Sequence, residues 1–162
     1  MKTKTINLYE FSELSEKAKK QAINKWYENE DYSYLEDILR ESAIDLLKEN
    51  GCEYNAIQLL YSLSYCQGDG LCFTGEVYKN GITMRIKHNH RYYFSSSVEF
   101  FFFDETGEET EENKELKNIY FSICGQIENE GYAEIEYRMT NEEFSDLCTA
   151  NEYFFDENGE LD

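Results

Sequence analysis

Proline is absent from this 162-residue chain, and no Gly/Ser-rich stretch occurs. Nothing therefore marks a linker, and a single domain over residues 1–162 is expected. No run approaches the ~18 apolar residues of a membrane span. The opening MKTKTINLYEF lacks the apolar stretch of a secretory signal, so the expected location is cytoplasmic. Histidine is limited to His88 and His90. Cysteine stands only at Cys52, Cys66, Cys72, Cys124 and Cys148, an odd count with no CxxC pair. That disfavours a zinc ribbon or a secreted disulfide framework. Cys66 and Cys72 flank a glycine turn where they could face each other, but buried reduced thiols are the expectation.

The most consequential shortage is of cations. Lysine and arginine number 15 against 34 acids, for a formal charge of −19. Residues 101–162 carry 3 bases and 19 acids. Direct nucleic-acid binding is disfavoured, because phosphate contacts need Lys and Arg to release counterions. A basic protein partner is favoured, since opposite potentials steer encounter. Aromatic residues are plentiful at 16 % of the chain, including 14 Tyr and 11 Phe, so a real core is within reach and general disorder is not.

Three blocks follow along the chain. In the first, Leu14, Ala18, Ala22 and Trp26 recur every four residues, with Lys17, Lys19, Lys20 and Lys25 around them, predicting an amphipathic helix. A second helix is predicted to open on a Ser33/Glu36 capping box. Leu35, Ile38, Leu39, Ser42 and Leu46 would form its apolar face, and Asn50-Gly51 its stop. The second block alternates as strands do: Ala56–Tyr65, Leu71–Tyr78, a hairpin at Asn80-Gly81 into Ile82, Met84 and Ile86, then Tyr92–Phe103. The third opens with DETGEETEE at 104–112 and continues into a helix marked by Leu116, Ile119, Tyr120, Ile123 and Ile127. That helix either breaks at 129–131 or runs on to Arg138. Thr140 and Glu143 then form a second capping box, and Asn158-Gly159 predicts a small terminal hairpin or edge strand. The fold class expected is α+β, an antiparallel sheet of about four strands with amphipathic helices on one face.

The run YSLSYCQGDGLCFTGEVY at 61–78 carries the most suggestive motif. A phosphate-binding loop would lead from strand into helix and supply a Lys and a Ser/Thr. Here Leu71-Cys72-Phe73-Thr74 reads as strand, and no Lys follows before Lys79. A dinucleotide site fails for the same want of a helix N-terminus. The expected role is a tight turn in which Gly68 and Gly70 supply positive backbone angles, while Gln67 and Asp69 bond turn amides or meet a partner. His88 and His90, alternating on a strand, would share a face. Lys87 and Arg91 flank them, and no third metal ligand is evident. A Cys–His dyad has no helix N-terminus to activate the thiol. No catalytic constellation emerges, and neither an enzyme nor a cofactor is expected.

FSELSEKAKKQAINKWYE, SYCQGDGLCFTGEV and NEYFFDENGEL stand in this order along the chain. Together they resemble a family of small bacteriophage and prophage proteins with a Ser-Gln-Gly-Asp-Gly-Ala/Leu-Ser/Cys-Phe core, some of them described as antitoxin-like. Cys66 replaces the serine usual there. The resemblance implies a phage origin and action inside a bacterial host cell. With the charge, it implies an anti-defence inhibitor of the anti-CRISPR type, acting on a CRISPR effector or another basic nucleic-acid-binding host protein by imitating DNA. The expected binding residues are Asp104, Glu105, Glu108, Glu109, Glu111, Glu112, Glu115, Glu128, Glu130, Glu134 and Glu136, with Gln67 and Asp69. On a continuous helix, residues 128–136 would place four acids within about 12 Å. The alternative is an antitoxin-like protein that neutralises a toxin by direct binding.

Overall fold

The computed structural model describes residues 5–28, 33–103 and 110–162, and Ser33 in its backbone only. Its elements in chain order are α1 (Glu16–Glu28), α2 (Ser33–Glu49), β1 (Glu53–Ser62), β2 (Gly70–Lys79), β3 (Ile82–His88), β4 (Val98–Phe103), α3 (Glu111–Arg138) and α4 (Asn141–Ala150). The strands form one antiparallel sheet in the order β1-β2-β3-β4, and the fold is α+β as expected. The chain packs as two compact units, Met1–Asp31 with Ala133–Asp162, and Tyr32–Tyr132. Helix α3 passes from one into the other. Among the described residues, no helix is long and apolar enough to cross a membrane.

In the larger unit one sheet face is apolar. Leu59 pairs with Phe73, Val77 with Met84, and Ile86 with Phe100, which places these side chains side by side. Tyr120 of α3 lies on that face, its ring 4.4 Å from Phe73 and 5.1 Å from Phe100. Its hydroxyl donates to the Phe73 carbonyl at 2.8 Å and accepts from the Phe73 amide at 3.0 Å, so a fully buried phenol keeps its polar atom satisfied. Helix α2 buries Leu35, Leu39, Ala43 and Leu47. The predicted face is thus rotated: Ile38 is 39 % exposed, and Ser42 and Leu46 lie at the margin. Gly131 of α3 meets Leu39 and Leu63 side chains so closely that a Cβ there would clash. The stop at Gly51 (φ 72) is as read, with Cys52 N–H donating to the Leu47 carbonyl at 2.9 Å. The Ser33 half of the predicted capping box lies outside the described side chains.

The bounds of β1 and β4 differ from the sequence reading by several residues, and those of β2 by one at each end. β1 begins at Glu53 and ends at Ser62. It carries a bulge between Asn55 and Gln58, where Ala56 takes φ 54. Gly75 (φ 130) faces the bulge, and a Cβ there would stand 2.7 Å from the Ala56 carbonyl oxygen. β4 begins at Val98, because residues 89–97 leave β3 as an irregular loop and 3-10 turn. Asn80-Gly81 forms the predicted hairpin with both φ positive, 54 and 78. Helix α3 does not break at 129–131.

In the smaller unit, Ala18, Ala22, Ile23 and Tyr27 form the buried face of α1. Trp26 is only half-buried, its ring 5.3 Å from Tyr153. Phe144, fully buried on α4, takes Phe11 edge-on at 4.9 Å. Thr140 caps α4 by accepting from the Glu143 amide. The Glu143 carboxylate bonds the Tyr137 hydroxyl, so the reciprocal half of the predicted box is not made. The tail closes as a small bridge, Phe155 with Leu161, and Phe155 also pairs with Tyr9.

Candidate functional site

The 63–69 segment is an irregular loop rather than a tight hairpin turn, and its glycines serve a different purpose from the one expected. Neither Gly68 nor Gly70 has a positive φ; the left-handed residue is Tyr65, at φ 58. The glycines are needed for close approach. A Cβ on Gly70 would stand 2.8 Å from the Tyr93 carbonyl oxygen and 3.0 Å from the Phe94 amide nitrogen, and one on Gly68 would meet the Tyr92 ring at 3.2 Å. The 92–94 segment therefore lies against the glycine motif.

Asp69 organises the loop. One carboxylate oxygen accepts from the Ser64 amide at 3.0 Å, the Ser64 hydroxyl at 3.2 Å and the Cys66 thiol at 3.2 Å. The other accepts from the Tyr65 amide at 2.7 Å and from the Tyr132 hydroxyl on α3. The Tyr65 ring packs 4.9 Å from the Tyr132 ring. Burial alone would raise the Asp69 carboxyl. The bonds from Tyr132, the Ser64 amide, Cys66 and the Tyr65 amide outweigh it and hold the group far below the ordinary carboxylate range. Burial and Asp69 in turn push the Tyr132 phenol up. With five donors on its two oxygens, Asp69 is an internal anchor and not a group presented to a partner. Gln67 is exposed at the loop tip.

The histidines do similar structural work. His88 Nε2 lies 2.8 Å from the Tyr92 carbonyl oxygen, and His90 Nδ1 accepts from the Tyr92 amide at 3.1 Å. His90 sits in the loop beyond β3, so the alternation that would have put both rings on one strand face does not occur. Among the described residues, no group of three or more His, Cys, Asp or Glu could hold a metal ion. Cys52, Cys72, Cys124 and Cys148 are buried and Cys66 is exposed. Burial raises the Cys72 and Cys148 thiols to about 11 and the Cys124 thiol to about 12, which leaves those three protonated and unreactive.

The predicted acidic residues divide four ways. Asp104, Glu105, Glu108 and Glu109 lie outside the described residues. Glu111 pairs with Lys114 at 3.1 Å, Glu115 with Lys79 at 3.5 Å and Glu134 with Arg138 at 2.9 Å. Glu112, Glu130 and Glu136 are exposed. Glu128 is part-buried, its carboxyl pushed up by burial and then by Asp69. These groups do not make one stripe on α3. Residues 116–127 contain no acid, a gap of about 18 Å along the axis. Successive turns of about 100° per residue spread Glu128, Glu130, Glu134 and Glu136 over more than half of the helix circumference.

An ordered row lies elsewhere. Asp37, Glu41, Asp45 and Glu49 follow one another at four-residue intervals on α2, and all four are exposed. Their stagger places them side by side on one helix face, about 6 Å apart over about 18 Å. None forms an ion pair with a described residue, although Arg40 and Lys48 share the helix; Arg40 instead donates to the Ile57 carbonyl at 3.0 Å. The signal was present in the sequence as an i, i+4 repeat of acids. Net charge per segment does not reveal it, because residues 31–60 are far less acidic in sum than residues 101–162.

Compared with protein-family models, with curated proteins and with solved structures, the chain matches none.

Proposed function

We propose that the chain is a phage-encoded anti-defence inhibitor of the anti-CRISPR type. It binds a basic nucleic-acid-binding host protein through an acidic surface that stands in for DNA. The phage origin rests on the resemblance of the 64–77 motif and its flanking stretches. The binding mode rests on one observation, the exposed row Asp37, Glu41, Asp45 and Glu49 on α2, which makes no ion pair with a described residue.

Like charges at i, i+4 weaken a helix by about 0.2–0.5 kcal/mol per pair. Three such pairs that form no ion pair with a described residue are a cost that a merely soluble surface does not require. A cationic groove removes that cost on binding and gains charge-assisted contacts. The match to DNA is partial. One charge per about 6 Å is roughly half the linear density of a single DNA strand, which carries one per about 3.4 Å. Neighbouring carboxylates, Glu36 at the start of α2 among them, supply part of the remainder.

The test is capture from a bacterial lysate at low salt, followed by elution with duplex DNA. Nucleic-acid-binding proteins should be retained, released by DNA and by high salt, and lost from the variant combining Asp37→Asn, Glu41→Gln, Asp45→Asn and Glu49→Gln. Retention of the same proteins by that variant overturns the assignment of the row. Capture that DNA cannot displace overturns mimicry itself.

A further inference from the structure

We propose that β4 is a self-association edge, on which a second copy of this chain adds its own β4 antiparallel to the first and extends the sheet across both copies. Among the described residues β4 pairs only with β3, so no described strand bonds the backbone groups of its outer side. Sheets usually protect such an edge with lysine, proline, a bulge or a very short strand. β4 has none of these. It reads VEFFFF, has a single charged residue, Glu99, and follows a regular register with β3 from Val98 to Phe103.

The sheet face opposite Tyr120 carries Phe101 and Phe103, 42 % and 52 % exposed. Cations of β3 lie over both rings: Arg85 4.9 Å from the Phe103 centroid and Lys87 5.4 Å from that of Phe101.

Antiparallel pairing about a two-fold axis must keep odd residues opposite odd ones, or one copy's face would be inverted. Centring the axis on Phe101 places Phe101 against its own counterpart, Phe100 against Phe102, and Glu99 against Phe103. In that register Glu99 of one copy borders the Phe103 ring on which Arg85 of the other lies. Arg85 uses its Nε and one terminal nitrogen on Glu76, at 2.9 and 2.8 Å, and has further N–H donors for a second carboxylate. The edge is thus complementary to itself in register and in charge.

Nucleic acid is the other occupant an aromatic and basic sheet face suggests, since bases stack on such rings. The face does not favour it. Glu76 and Glu99 balance Arg85 and Lys87 locally, and the chain as a whole carries −19.

Salt separates the two. Two highly acidic copies repel, so screening strengthens self-association, whereas phosphate binding weakens with salt. A seam of five paired residues per copy is at the small end of specific interfaces, so the dimer should be weak and concentration-dependent. Sedimentation equilibrium of the full chain should show a monomer–dimer equilibrium that shifts toward dimer at high salt. Phe101→Lys, which sets two like charges opposite each other, should leave only monomer with an unchanged circular dichroism spectrum. In a Cys66→Ser background, Phe101→Cys should oxidise to a covalent dimer, while Glu99→Cys alone should not.

A chain that stays monomeric at all concentrations overturns the proposal. So does a dimer indifferent to Phe101→Lys, or efficient cross-linking through Glu99→Cys. Salt-sensitive binding of single-stranded oligothymidylate that Phe101→Lys abolishes would assign the face to nucleic acid instead.

Discussion

Asp69 and the four acids of α2 are the same chemistry in opposite circumstances. Asp69 collects five donors from Ser64, Tyr65, Cys66 and Tyr132. Asp37, Glu41, Asp45 and Glu49 are exposed, and none makes an ion pair with a described residue. A carboxylate saturated by its own chain holds structure and has little left to offer a partner. Four carboxylates lined up with no ion pair to a described residue weaken their helix and are available to one. The glycine motif, expected as a tight turn, is an irregular loop built around Asp69, and an ordinary-looking helix carries the surface feature that calls for explanation.

The largest effect expected from breaking this contrast is at Asp69. Asp69→Ala leaves two amides and the Tyr132 hydroxyl without their acceptor, and hydrogen bonds to charged groups contribute about 1.5–3 kcal/mol each. A loss of about 3 kcal/mol in urea denaturation is expected, with partner capture by the α2 row retained in whatever fraction stays folded. A loss under about 0.5 kcal/mol, within the ordinary range for surface substitutions, would show that the loop does not depend on this anchor.

The same group sets an acid limit. Its folded-state titration lies below that of the unfolded chain, so the unfolded state takes up a proton first as pH falls. The stabilisation is complete above the ordinary carboxylate value of about 4 and is lost progressively below it. Glu128 acts with opposite sign, because burial and Asp69 raise it; its protonation favours the fold. Asp69→Asn should therefore flatten the fall in stability below about pH 4, whereas Glu128→Gln should not.

Next in size is Gly70. A Cβ there would meet backbone, the Tyr93 carbonyl oxygen at 2.8 Å and the Phe94 amide nitrogen at 3.0 Å, and backbone cannot turn aside as a side chain can. Gly70→Ala should cost about 2 kcal/mol, in the range of overpacked sites. Gly68→Ala faces only the Tyr92 ring at 3.2 Å and should cost clearly less. Equal losses at the two sites would show that the 92–94 segment is not held as described.

Much of the fold was legible from sequence because local chemistry decided it. Asn80-Gly81 requires a primed turn, Gly51 a left-handed helix stop, and Thr140 a helix start. What escaped was set by contacts distant in sequence. Gly68 and Gly70 have their reason in residues 92–94, and Asp69 has part of its reason in Tyr132, 63 positions away. The buried α2 face Leu35, Leu39, Ala43 and Leu47 was itself legible as an i, i+4 repeat, whereas the close approach of Gly131 to Leu39 and Leu63 was not. For the candidate surface, net charge per segment was a poor guide, since Glu111, Glu115 and Glu134 of α3 pair with cations, whereas the α2 row lies in a segment of modest net charge.

The smallest effect in stability is the sharpest for function. Replacing Glu41 by Lys converts two repulsive neighbours, Asp37 at i−4 and Asp45 at i+4, into attractive ones. Each like-charge contact removed relieves about 0.2–0.5 kcal/mol, and each new pair adds a similar amount. Glu41→Lys should thus stabilise the chain by about 1 kcal/mol, read as a rise of a few degrees in Tm. A surface kept only for solubility would lose nothing by this change. A surface kept for a cationic groove would be damaged by it, because a like charge set within a docking site costs several kcal/mol. Stabilisation with loss of capture is the pairing expected of a row retained for binding. Stabilisation with capture intact would leave α2 an unoptimised solvent face, and the basic partner would have to be sought on other acids.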